Sequence, residues 1–136
     1  MVLDPRFYRE EISNLEIEGL NLDIDSVSEA LQLLVKLKKI EKTLLKINYN
    51  IRMDTRSIRK EYLKRIEELN KPVKVMKVFN KKLNKKESLK VKKKIVDERD
   101  HRIKPYELLE RLINDYLLQI HDAKNYLENF IEKNVE

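Results

Sequence analysis

Apolar residues recur along much of this chain at alternating spacings of four and three. Leu33, Leu37, Ile40, Leu44, Ile47 and Ile51 form one such series. That spacing keeps a single seam of a helix turned toward a neighbouring helix, as in a coiled coil. The pattern then shifts to Ile58, Tyr62, Ile66 and Leu69. Ser26 and Glu29 make a capping box ahead of it, the hydroxyl accepting from the Glu29 amide and the carboxylate reaching back. Asn70-Lys71-Pro72 supplies the stop, because a proline pushes the preceding residue out of the α region. These signals predict one long helix over 26–69, about 66 Å at about 1.5 Å per residue.

A second series, Leu109, Ile113, Tyr116, Ile120, Ala123, Leu127 and Phe130, predicts a long helix over 105–134. Pro105 suits the first helical position, and Glu107 and Glu110 complement the positive end of the helix dipole. Leu112, Leu117 and Ile131 widen the stripe, as for a helix that touches more than one neighbour.

The segment before residue 26 is less regular. Asp4-Pro5 reads as a cap and first helical position, giving a short helix from Pro5 to about Asn14. From Leu15 to Asp25 apolar and polar residues alternate, broken at Gly19, which is the signal of a strand. An extended arm that tucks Leu20, Leu22 and Ile24 onto the helices is preferred over a bent strand. Between the long helices, Val73-Lys74-Val75 begins like a strand, while Met76, Phe79 and Leu83 fit a short helix. The lysines that follow suit an exposed tip with a helical turn or more leading to Pro105.

The expected architecture is all-α. It is a long antiparallel coiled-coil-like hairpin with an N-terminal helix and extended arm (1–25), a long helix (26–69), a basic connector (70–104) and a second long helix (105–134), in a single domain. The first helix would outrun the second by about 14 residues, roughly 21 Å. A second copy is expected to cover that overhang, giving a homodimer with a four-helix core. The competing arrangement breaks the first helix near residue 50 and folds a compact monomeric four-helix bundle.

Composition narrows the chemistry. Charged residues make up 40% and hydrophobic ones 41% of the 136 residues, too apolar for a disordered chain and rich in helix formers. The single glycine, Gly19, excludes glycine-cradled phosphate loops, and the lack of cysteine excludes disulfides and thiolate chemistry. No apolar run approaches the roughly 20 residues of a membrane span, so no membrane is expected and a cytoplasmic location is. The net charge of +6 is unevenly spread: residues 71–104 hold 12 Lys, 2 Arg and 4 acidic residues.

Three features could carry function. Lys81, Lys82, Lys85, Lys86, Lys92, Lys93 and Lys94 could contact nucleic acid phosphates, each contact releasing counterions and so making binding weaker at higher salt; a solvated loop is the plainer reading. Arg52, Arg56 and Arg59 share one helix face and could fork onto carboxylates or phosphates; ion pairs to a neighbouring helix would equally occupy them. Asn48, Asp54 and Thr55 interrupt the first helix, and continuing the seam puts Asp54 at a core-facing position, where a polar residue sets register or partner choice. Glu98 and His101 have the spacing of one di-iron ligand pair, but Leu118 precedes His121 where a second copy would need glutamate. No catalytic, metal or cofactor site is expected. The function expected is that of an assembly or spacer module that binds itself and a protein partner through its helical surface. The alternative is a nucleic-acid-binding protein using the lysine-rich connector.

Overall fold

The computed structural model describes residues 1–70 and 85–135. It is all-α, with α1 over Pro5–Ser13, α2 over Val27–Asn70 and α3 over Lys85–Asn134. A single 3-10 turn, Ile17–Gly19, lies between α1 and α2, and the described residues form no strand. The readings made for Val73 through Leu83, and for Lys81 and Lys82, lie outside the described residues.

The caps act where the sequence places them. Asp4 accepts from the Arg6 amide at 2.8 Å and starts α1. The Ser26 hydroxyl accepts from the Glu29 amide at 3.2 Å, and the Glu29 carboxylate reaches back to the Asp25 amide at 2.9 Å. The alternation after Leu15 does not become a strand, because Glu16 takes a left-handed conformation at φ 53° and turns the chain into the 3-10 turn. Leu20 and Ile24 then rest half-buried on the core, while Leu22 stays exposed.

α2 is continuous over its 44 residues, without a break near residue 50. It packs along α3, and the pairing is antiparallel: Glu41 meets Lys124, and Glu61 meets Arg102. Leu37, Ile40, Leu44, Ile47 and Ile51 are buried and Leu33 is half-buried. On α3, Leu109, Ile113, Ile120 and Leu127 are buried, and Tyr116, Ala123 and Phe130 are half-buried against them.

One boundary differs from expectation. α3 does not begin at Pro105 but 20 residues earlier, and Pro105 lies inside the helix. A proline there removes one backbone hydrogen bond and crowds the preceding turn, at a cost of about 3 kcal/mol. The extension offsets this by burying Ile95 and Ile103 and half-burying Val91 beside Ile58, Tyr62, Ile66 and Leu69. Tertiary packing thus overrides a local stop. The spacing shifts on both helices at facing levels, to steps of four through Asp54, Ile58, Tyr62 and Ile66 and through Ile95, Arg99 and Ile103. The shift carries both seams forward together. α3, at 50 residues, is longer than α2, so the overhang that called for a second copy is absent.

The arm divides the hairpin into two parts. From Leu3 to about Leu20 it lies along the end holding the start of α2 and the finish of α3, here the lower half. Among the described residues, the upper half, beyond Asp54 and before Tyr106, consists of α2 and α3 alone.

Candidate interaction surface

The arm is held at one polar cluster. Asp54 falls where the α2 seam demands an apolar residue, and it is buried at 9% exposure. Its Oδ2 accepts a hydrogen bond from the Leu3 amide at 3.1 Å and a short one from the Tyr8 hydroxyl. Tyr106 on α3 donates to the Leu3 carbonyl at 2.7 Å. Both backbone groups of Leu3 are therefore bracketed, one by each long helix. Lower down, the Tyr116 hydroxyl donates to Glu18 at 2.9 Å. Burial pushes the hydroxyls of Tyr8, Tyr106 and Tyr116 above their ordinary range, and the neighbouring carboxylates push further: Asp54 for the first two, Glu18 for the third.

These groups fix structure and are poorly placed for catalysis, since the carboxylate and hydroxyls are committed to one another or to backbone. Among the described residues, no three His, Cys, Asp or Glu side chains gather as metal ligands. Glu98 accepts from the Tyr62 hydroxyl at 3.2 Å and pairs with Arg65 at 3.5 Å, while His101 and His121 are exposed. A shallow concavity between Ile17–Leu22 and the Leu37, Ile120 and Ala123 side chains is largely apolar. No helix among the described residues is long and apolar enough to cross a membrane. Thr55 is satisfied by the Arg52 carbonyl at 2.9 Å, whereas the buried Asn48 Oδ1 has no partner among the described residues.

The basic residues separate into two places. Lys86, Lys92, Lys93 and Lys94 lie exposed on the first turns of α3. At about 100° per residue Lys92 faces away from Lys86 and Lys93, so they form no single stripe. Arg52, Arg56 and Arg59 are exposed on α2, and Arg59 pairs with Glu107 at 3.6 Å. Arg52 and Arg56 make no ion pair among the described residues.

Those arginines belong to a longer pattern. Positions 31, 35, 38, 42, 45, 49, 52 and 56 alternate four and three, each two residues ahead of a seam position, and all are exposed. Two residues on a helix are about 200° apart, so this series lies opposite the buried seam. It reads Leu31 and Val35, then Lys38 and Lys42, then Leu45 and Tyr49, then Arg52 and Arg56: apolar and basic layers in turn. Leu31, Val35, Leu45 and Tyr49 are 48–62% exposed. Residues 31–60 hold nine basic and two acidic side chains. Of the two acids, Asp54 is buried and Glu41 pairs with Lys124. The arginine spacing is the part of this face visible as a motif; the rest is diluted when charge is counted by segment.

Comparison with protein-family models, with curated proteins and with solved structures finds no match to this chain.

Proposed function

We propose that this protein is a structural interaction module: a coiled-coil-like helical rod that binds a protein partner through the solvent face of α2. The single observation that carries this reading is the second four-and-three series on α2, exposed over its whole length and holding Leu31, Val35, Leu45 and Tyr49. Apolar side chains in such a series gain by covering one another in a helix pair. Large apolar groups gathered on one exposed face mark an interaction surface more often than scattered ones do.

A photo-cross-linking residue placed at Tyr49, in the cells that make the protein, tests it. The expected outcome is a discrete protein adduct that disappears when Leu45→Asp is added and is absent when the cross-linker stands at Glu128, on the exposed surface of α3. No position-specific protein adduct, or adducts mainly to nucleic acid, would refute the reading. The nucleic-acid alternative predicts the second of those results.

A further inference from the structure

The solvent face of α2 carries information about what it binds as well as that it binds. Its layers repeat every 14 residues: Leu31 and Val35 recur as Leu45 and Tyr49, and Lys38 and Lys42 recur as Arg52 and Arg56. Fourteen residues of helix are about 21 Å. Among the described residues, none of the four cations in the two basic layers has an anionic partner, and no unpaired acid stands on α2 between residues 31 and 60 to neutralise them. The acidic arm, with eight acidic and two basic side chains in residues 1–30, lies on a different side of α2 and forms none of the salt bridges present.

We propose that this face docks an acidic amphipathic helix of a different protein, with apolar layers set against Leu31/Val35 and Leu45/Tyr49 and carboxylates set against Lys38/Lys42 and Arg52/Arg56. The inference rests on the reading of α2 as a protein-binding surface and adds the chemistry of the partner. Charge selects this occupant over others. A second copy docked through the same face either sets apolar layers against basic ones or, where it matches its apolar layers, also sets basic on basic, a like-charge contact that suppresses pairing. A phosphate backbone would satisfy the cations but leave the Leu31/Val35 and Leu45/Tyr49 layers against charge. A bilayer surface favours helices whose apolar and basic residues occupy separate faces, whereas here they alternate along one. Arg52 and Arg56 can each form two parallel hydrogen bonds to a carboxylate, so discrimination should be strongest at that layer.

The test uses the intact protein and a synthetic 28-residue helix whose Leu layers alternate with Glu layers, beside a counterpart carrying Lys for Glu. Binding is followed by fluorescence anisotropy near physiological salt. The wild type should bind the Glu helix and not the Lys helix. Arg52→Glu with Arg56→Glu should weaken binding of the Glu helix by at least about tenfold and admit the Lys helix. Both positions are exposed, so circular dichroism should be unchanged, and Lys38→Glu with Lys42→Glu provides an independent second variant. Equal binding of both helices, or binding of the Glu helix insensitive to both double variants, would overturn the proposal. So would a concentration-dependent dimer abolished by Leu45→Arg, which assigns the face to a second copy. Tighter binding of duplex DNA than of the Glu helix, lost in Arg52→Glu/Arg56→Glu, would overturn both this and the protein-binding reading. A Tyr49 cross-link to a partner segment that is not acidic would overturn the charge assignment alone.

Discussion

Below Asp54 the α2–α3 pair is covered by the arm; above it no other described residues join the same two helices. The lower half buries Leu37, Leu44, Ile113, Ile120 and Leu127 at 0–2% exposure and ties its third element down with tyrosine hydroxyls. The upper half buries Ile58 and Tyr62, leaves Ile66, Leu69 and Val91 half-open, and lines its flanks with Arg65–Glu98 and Arg102–Glu61 pairs. Two arginines, Arg65 and Arg102, also lie over the Tyr62 ring at 5.0 and 5.9 Å. The same helix pair is thus finished in two ways, by a third apolar layer or by charge at the margin.

The largest separation of the halves should come from one substitution made in each. Ile113→Ala removes a side chain enclosed by neighbours that cannot close the gap, and should cost about 4 kcal/mol. Ile95→Ala, at 9% exposure in a two-helix contact, should cost about 2 kcal/mol because water and side chains can relax into the space. Urea unfolding of the two variants checks the difference; equal losses would mean that the arm adds nothing to packing.

Next in size is the arm itself. Asp54→Ala leaves the Tyr8 hydroxyl and the Leu3 amide without their acceptor and should cost roughly 2–4 kcal/mol. Amide exchange should speed up through residues 3–24 and stay unchanged at 58–66. Alkali reaches the same contacts. Tyr8, Tyr106 and Tyr116 hold their protons more tightly folded than unfolded. Their stabilisation is therefore complete below about pH 10, where free tyrosine titrates, and is lost as pH rises beyond it. Tyrosinate absorbance should rise together with release of the arm; release well below pH 9 would contradict the assignment.

Pro105→Ala should stabilise the protein by roughly 1–3 kcal/mol, since it restores a backbone hydrogen bond to a helix that already continues through the site. A loss of stability would mean that the proline has a packing role. The smallest effect is expected at the upper flank. Glu61→Gln breaks an exposed pair with Arg102 and should change stability by about 0.5 kcal/mol or less, vanishing at high salt.

Much of this was legible in the residues. Caps at Asp4 and Ser26 mark helix starts because they satisfy free amides locally. The two seams mark helix faces because periodicity follows from helix geometry alone. Asp54 stood out for the same reason, as a charge on an apolar phase. The start of α3 was not legible: Pro105 is a good first residue by local rules, and only the distant apolar positions of α2 make the preceding turns worth forming. The bracket around Leu3 left no trace, since it uses that residue's backbone. The solvent face of α2 was half-legible, as three arginines, because its apolar members look like a widened seam until burial shows which of two opposite phases faces inward.

The bracket around Leu3 also orders events in time. Bonds across the upper half join residues 36 and 41 positions apart, whereas Leu3 meets Asp54 across 51 positions and Tyr106 across 103. Closing a longer loop costs more entropy, and the docking place for Leu3 does not exist until α2 has already brought Asp54 beside Tyr106. Refolding should therefore begin with helix pairing near the connection and finish with capture of the arm. A Tyr8→Phe chain should retain the early phase and lose amplitude or speed only in the last, so that the tyrosine hydroxyls report the moment at which the molecule is complete.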